Sequence, residues 1–308
     1  MRIGFALPQF HHQAFEVARV AEFAREAERA GAASLWVGDR NLAAVRPLVG
    51  YGGHGDTIPP ELNPAADPFV LLGIAAAVTE RVLLGSHVLI APLYPAVQLA
   101  RALTTIDVIS GGRVLPGFGL GWSPEEYEAA GRDFARRGAL LDELLDALDV
   151  IWTQDPAGYS GNLLSVPLHH APLKPARTPR PPVYLGALST VALRRVARRA
   201  DGWLPLCVVP DYVDAEGLIA QRASIDTWAR EAGRQPADID TVLRVNVAQG
   251  TGVAAVADAI RDLHDKTEID HFMVDSMYEV ESVDGAIAYA RELLALLADM
   301  TDTQNALF

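Results

Sequence analysis

The stretch Val82–Tyr127, VLLGSHVLIAPLYPAVQLARALTTIDVISGGRVLPGFGLGWSPEEY, constrains the fold more than any other part of the chain. It contains two apolar runs, Val82–Val88 and Val114–Phe118, joined by a helical stretch of mostly small apolar residues, Ala96–Ser110. Neither run alternates polar with apolar residues. Both faces of each strand must therefore be covered, the condition of a parallel sheet lying between helices. The second run passes straight into Gly117, Gly119 and Gly121, followed by Trp122. Glycines at the carboxyl end of such a strand admit a flat or anionic ligand to the main chain, because no Cβ intervenes. One segment thus predicts a fold class and the end of the fold where a ligand sits.

The same alternation runs the length of the chain. Strands are expected at Ile3–Leu7, Ser34–Val37, Val82–Val88, Val114–Phe118, Val183–Leu185, Gly202–Leu206, Val242–Ala248 and Phe272–Asp275. The helix after the first strand carries Val17, Val20, Ala21, Ala24 and Ala27 at helical spacing and stops at Gly31. A later one sets Leu140, Leu141, Leu144, Leu145, Leu148, Ile151 and Trp152 on one face, opposite Asp142, Glu143, Asp146 and Asp149. Eight strand–helix alternations match a TIM (β/α)8 barrel, whereas a doubly wound sheet typically uses about six. A single barrel domain spanning 1–308 is expected. Two regions interrupt the pattern. Asn41–Asp67, rich in glycine and proline, follows strand two at the functional end of a barrel and reads as a lid or binding wall. Thr153–Pro182 reads as an insertion, a short hairpin with an extended connector, or as a passive proline-rich linker.

Composition narrows the partners. With 26 basic against 39 acidic residues the net charge is −13, leaving no surplus to neutralise phosphates, so neither nucleic acid nor an acidic membrane is an expected partner. The local run Arg194, Arg195, Arg198, Arg199 reads as the solvated face of a helix. The lone cysteine, Cys207, excludes an internal disulfide and reads as a buried structural thiol. The opening MRIGFALPQF reads as a first strand with no signal sequence, and no apolar stretch is long enough to span a membrane. A cytoplasmic location follows as the expectation. No metal is expected.

Five segments together resemble the bacterial luciferase-like monooxygenase superfamily, in particular its branch that uses the deazaflavin coenzyme F420. They are IGFALPQF; SLWVGDR; RVLLGSHVLIAPLYPAVQLA; GRVLPGFGLGWSPEEYEAAG; and PPVYLGALSTVALRRVARRADGWLP. The glycine run lacks the third glycine of a dinucleotide fingerprint, and no GK[ST] follows it.

The resemblance implies roles residue by residue. Gly117, Gly119, Gly121 and Trp122 would line the cavity beside the tricyclic ring; tight-turn chemistry is the other reading of the glycines. A non-prolyl cis peptide in a bulge of strand three, which supports the ring, maps onto His87–Val88. His87 is a ring contact, an acid/base, or simply a satisfied strand histidine. Asp39 ends strand two, where the deazaflavin branch often has an Asp-His pair that hydrogen-bonds near the ring's carbonyl edge, the histidine sometimes assisting proton transfer; the next residue here is Arg40. A guanidinium cannot cycle protons near neutrality, yet it can stabilise developing negative charge or bind an anion. An Asp39–Arg40 pair that only orders the lid loop is the competing reading. Gly186, Ala187, Leu188 and Ser189 match the loop that takes the cofactor phosphate, at the start of a helix whose free N–H groups favour an anion; a plain N-cap is the other reading of Ser189. Glu125 and Glu126, after Ser123 and Pro124, read as helix-dipole partners.

The function implied is hydride transfer between the deazaflavin C5 and a small organic substrate by an F420-dependent oxidoreductase. An FMN-dependent monooxygenase on the same fold, or a non-catalytic flavin-binding homologue, are the alternatives. Relatives commonly pair through helices of the first half, so a homodimer is implied.

Overall fold

The computed structural model describes residues 1–301. Its parallel strands are β1 (Arg2–Ala6), β2 (Ser34–Val37), β3 (Leu83–Ser86, resuming as Leu89–Ile90), β4 (Val114–Leu115 and Gly117–Gly119), β5 (Tyr184–Gly186), β6 (Gly202–Leu204 and Leu206–Val209), β7 (Asp240–Thr241 and Leu243–Val247) and β8 (His271–Asp275). The principal helices are α1 (Val20–Ala30), α2 (Pro68–Val78), α3 (Ala96–Ser110), α4 (Arg137–Thr153), α5 (Thr190–Arg199), α6 (Ala215–Glu231), α7 (Val253–Thr267) and α8 (Val283–Leu296). All of the expected strands are present. Breaks in β3, β4, β6 and β7 divide the hydrogen bonding into a seven-stranded and a five-stranded sheet that share those strands. Each strand nonetheless pairs in parallel with the next, and β8 pairs with β1, so the order of neighbours returns to its start. That is the (β/α)8 arrangement the alternation predicted.

Side-chain alternation explains how the interior is filled. Outward residues such as Ile3, Phe5, Leu35, Val37, Val245 and Val274 join the main core beneath the helices. Inward residues Trp36, Leu115, Tyr184, Leu204, Val242 and Met273 form a second cluster inside the strands. The large rings fit because glycines face them: a Cβ on Gly85 would lie 2.2 Å from the Trp36 ring, and one on Gly202 would lie 2.1 Å from the Tyr184 ring. The middle of the barrel is thereby packed, which leaves the carboxyl end as the mouth.

Local signals behave as read. Gly31 ends α1 at φ 103°, a backbone region open to glycine without cost. The insertion is a hairpin of Ala157–Ser160 with Ser165–His169, and Glu143 of α4 accepts the N–H groups of Asn162, Leu163 and Leu164. Cys207 is buried on β6, which pushes its thiol up to about 12, in keeping with a structural role. The arginine run meets the expectation of a solvated face in Arg194 and Arg198, which are exposed, but not in Arg195 and Arg199. Arg195 pairs with Asp142 at 2.7 Å, Arg199 with Asp146, and Arg194 lies over the Trp228 ring at 4.9 Å. The acidic face of α4 is thus met by α5, because adjacent helices in a barrel wall expose only part of their polar faces.

Candidate active site

At the mouth, β3 is interrupted where the resemblance placed its bulge: the His87–Val88 peptide is cis. Two neighbours hold the interruption. On one side, Asp39 at the end of β2 accepts from the Ile90 N–H at 2.8 Å and from the Tyr94 hydroxyl at 2.9 Å. On the other, Arg244 of β7 donates to the His87 carbonyl at 2.8 Å, to Asn246 Oδ1 at 2.7 Å and to Asp275 Oδ2 of β8 at 2.5 Å. Burial raises the Asp39 carboxyl to about 7, outweighing the two hydrogen bonds that favour its charged form. A carboxyl of that value changes protonation in the neutral range.

His87 takes a different part from a proton carrier. Its ring is buried and Nε2 donates to the Pro205 carbonyl at 3.2 Å. Burial, with Arg244 nearby, pushes its pKa down to about 3, so the imidazole stays neutral with its donor engaged. Of the readings left open by the sequence, the satisfied strand histidine fits this geometry.

The glycines of β4 and Gly121 just beyond it serve the bulge first. A Cβ on Gly117 would fall 1.8 Å from the Ser86 carbonyl oxygen, one on Gly119 2.4 Å from a Val88 methyl, and one on Gly121 2.8 Å from Ile90. Across the mouth, a Cβ on Gly186 would lie 3.0 Å from the other Val88 methyl. Val88 is therefore seated between two bare stretches of main chain, on a shelf above the inner cluster. The atoms that approach these glycines are protein atoms. We expect Gly119→Ala to push Val88 aside at a cost of about 1–3 kcal/mol and to weaken ligand binding at the mouth. Gly117→Ala, which meets unyielding backbone, should lose more; parallel denaturant titrations of the two variants compare them.

Arg40 diverges from Asp39. No ion pair joins them among the described residues; the Arg40 guanidinium lies over the Trp122 ring at 4.7 Å, and Nη1 is 3.9 Å from Glu126 Oε2. Tyr51 of the Asn41–Asp67 loop meets the same Trp122 ring edge-on at 5.7 Å. Glu126 accepts from the Asn41 N–H at 2.8 Å and Glu125 from that of Leu48, so both glutamates fasten the loop beyond any dipole role. Burial raises the Glu126 carboxyl above its usual range. Gln9 of the segment after β1 adds a clamp: it donates to the Gly38 and Ala66 carbonyls and accepts from the Gly38 N–H at 2.7 Å.

Gly186–Ser189 leads from β5 into α5. The Ala187 carbonyl accepts from the buried Trp203 indole at 3.1 Å, Leu188 is exposed, and Ser189 caps the helix, its side chain accepting from the Ala192 N–H. The mouth thus gathers Asp39, Arg40, His87, Val88, Gly119, Gly121, Trp122 and the Gly186–Ser189 turn at strand ends, with Gly117 one layer deeper.

The sequence reading missed Tyr94, Arg244 and Asp275. A signal for two of them was present. Arg244 interrupts the apolar run Val242–Val247 and Asp275 ends the apolar run before it, opposite charges on strands expected to be neighbours.

Comparison with known proteins bears on the fold and the family. Residues 1–298 match the family model described as luciferase-like monooxygenase. An uncharacterised protein of Mycobacterium tuberculosis is 34% identical over 217 residues, 70% of this chain and 74% of that protein. The monooxygenase RslO1 of Streptomyces bottropensis superposes with a TM-score of 0.76 at 17% identity, covering 97% of this chain and 98% of that one. An F420-dependent secondary alcohol dehydrogenase, solved with an F420–acetone adduct, does so at 0.64 and 17% identity, covering 99% and 83%. The chain belongs to the luciferase-like monooxygenase family.

Proposed function

We propose that this enzyme is an F420-dependent oxidoreductase that moves a hydride between the deazaflavin C5 and a small organic substrate. The observation that carries the reading is Asp39: a carboxyl titrating near 7, held at the mouth by Ile90 and Tyr94 beside the bulge. A hydride gained or lost at carbon must be matched by a proton at the neighbouring heteroatom, and a carboxyl poised near working pH exchanges it best.

The residues at the mouth fit such a cofactor. Val88, whose methyls are seated against the bare main chain of Gly119 and Gly186, would offer a support for the ring. Gly121 and Trp122 would wall one side, Gly117 lets the strand beneath pack against Ser86, His87 would brace the support from beneath, and the amides after Gly186-Ala187-Leu188-Ser189 at the start of α5 would take a phosphate. When bound, the deazaflavin supplies the hydride carrier. The chain's own work is to fix the reactants, to exclude water beneath the Asn41–Asp67 loop, and to move a proton at Asp39.

A second reading, FMN-dependent monooxygenation, draws on the likeness to the monooxygenase RslO1 and to a riboflavin lyase solved with a modified FMN. Titrating the cofactor-free protein with F420 and with FMN, followed by absorbance and fluorescence, separates the two. Micromolar F420 binding with negligible FMN binding is the expected result; the reverse transfers the assignment to the monooxygenase.

A homodimer through α2 and α3 belongs to the same proposal. The helix α2, PFVLLGIAAAV, has no polar side chain, yet Val70 is 58% exposed and Ala77 is exposed beside α3, where Val97 and Ile109 are also open. A helix apolar all round is one meant to be covered on every side. The variant Val70→Glu/Ala77→Glu is expected to sediment as a monomer where the parent sediments as a dimer. Among the described residues no helix is long and apolar enough to cross a membrane.

A further inference from the structure

Arg40 carries a donor edge that the protein leaves unused. Its side chain is only 5% exposed, and both Nε and Nη2 are buried without a hydrogen-bond partner. Those two atoms form the side edge of a guanidinium. Their N–H bonds run parallel, at the spacing of the two oxygens of one carboxylate. The remaining nitrogen, Nη1, faces Glu126 Oε2 at 3.9 Å, beyond hydrogen-bonding reach.

The nearby acids do not fill the gap because they are engaged elsewhere. Glu126 Oε1 takes the Asn41 N–H, and Glu125 takes the Leu48 N–H and the Ser123 hydroxyl. Asp39 is turned to Ile90 and Tyr94. A permanent cation with two buried, unpaired donors is costly to keep, and proteins retain such a group where a ligand completes it. Around it are flat apolar surfaces: the Trp122 ring beneath the guanidinium, and Tyr51 set edge-on to that ring.

We propose that the side edge of Arg40 is the receptor for a carboxylate on the substrate, so that the substrates of this enzyme are organic carboxylates. The word substrate rests on the oxidoreductase reading above; the carboxylate site does not. Two parallel N–H donors bind the carboxylate fork-to-fork, the body of the molecule lies against Trp122, and Tyr51 moves off that ring to let it in. Sequence neighbours Asp39 and Arg40 then divide the work: one exchanges the proton, the other selects and orients the molecule that receives it.

The test uses the cofactor-free full chain and two probes of equal size, benzoate and benzamide, with affinities measured by calorimetry. Wild type is expected to bind benzoate at least tenfold more tightly than benzamide. Arg40→Met should abolish that preference, and Arg40→Lys, which keeps the charge but loses the fork, should retain only part of it. Equal affinities in wild type, no binding of benzoate, or a preference that survives Arg40→Met would each overturn the proposal and leave a trapped water as the occupant of the edge. Should Arg40→Met fail to fold, the wild-type comparison and Arg40→Lys decide. F420 and FMN titrations of Arg40→Met are expected to match wild type. A wild-type chain that binds neither cofactor yet prefers benzoate sinks the oxidoreductase reading and keeps this one.

Discussion

Replacing Arg244 with methionine is expected to cost the fold about 3–5 kcal/mol, the penalty typical of breaking a buried ion pair from one side. The arginine pairs with Asp275, whose side chain is 5% exposed, and the substitution strands that carboxylate in a low-dielectric interior. It also takes a donor from the His87 carbonyl, and so one of the two supports of the β3 interruption. Methionine fills similar volume, which keeps the loss electrostatic. The melting temperature should fall on the order of 10 °C for a chain of this size, and whatever affinity the protein has for its cofactor should fall with it. The double variant Arg244→Met/Asp275→Leu tests the cause, because removing both charges should recover much of the stability while leaving the His87 carbonyl unsupported. A stability loss below about 1 kcal/mol for the single variant, measured by urea titration, would show that the pair is not the strut described here.

The division between what the sequence revealed and what it concealed follows from the range of the interactions. The strand and helix order was legible because each element advertises itself locally: unalternating apolar runs for strands covered on both faces, heptad-like leucines in α4, Gly31 closing α1. Gly117, Gly119 and Gly121 were singled out correctly as unusual, but their partners were not. What they accommodate, Ser86, Val88 and Ile90, lies about thirty residues away in sequence, on the neighbouring strand. The same holds for the ties across the mouth. Asp39 meets Tyr94 at a separation of 55 residues and Arg244 meets the His87 carbonyl at 157, distances no periodicity reports. Arg195 and Arg199 of α5 misled for a related reason, since a charged helix face looks solvated until the next helix is placed against it. The bulge was reached by family likeness alone, and nothing in the residues His87 and Val88 by themselves announces it.

Converting Asp39 to asparagine should lower turnover by about 10²–10⁴-fold, the usual contribution of a positioned acid or base. The amide oxygen of the new side chain can still accept from Ile90 and Tyr94, so the end of β2 stays tied to β3 and cofactor affinity should change little. The pH profile carries the sharper signature. If the reaction runs toward substrate reduction, Asp39 must enter protonated, and the wild-type rate declines as pH rises through about 7; toward oxidation it must enter ionised, and the rate declines as pH falls through the same value. Either limb should be missing from the asparagine variant. Stability supplies a check that needs no substrate. Burial raises this carboxyl from 3.8 to about 7 in the folded chain, so between those values the folded state holds a proton that the unfolded state has released. Its contribution to stability is fully present below the unfolded value and is lost as pH climbs through about 7. Wild type should therefore melt lower at pH 8 than at pH 5 by more than the variant does, since asparagine has no proton to lose. Identical pH dependence in the two proteins, together with an unchanged rate, would remove Asp39 from the chemistry and return it to a purely structural tie between β2 and β3.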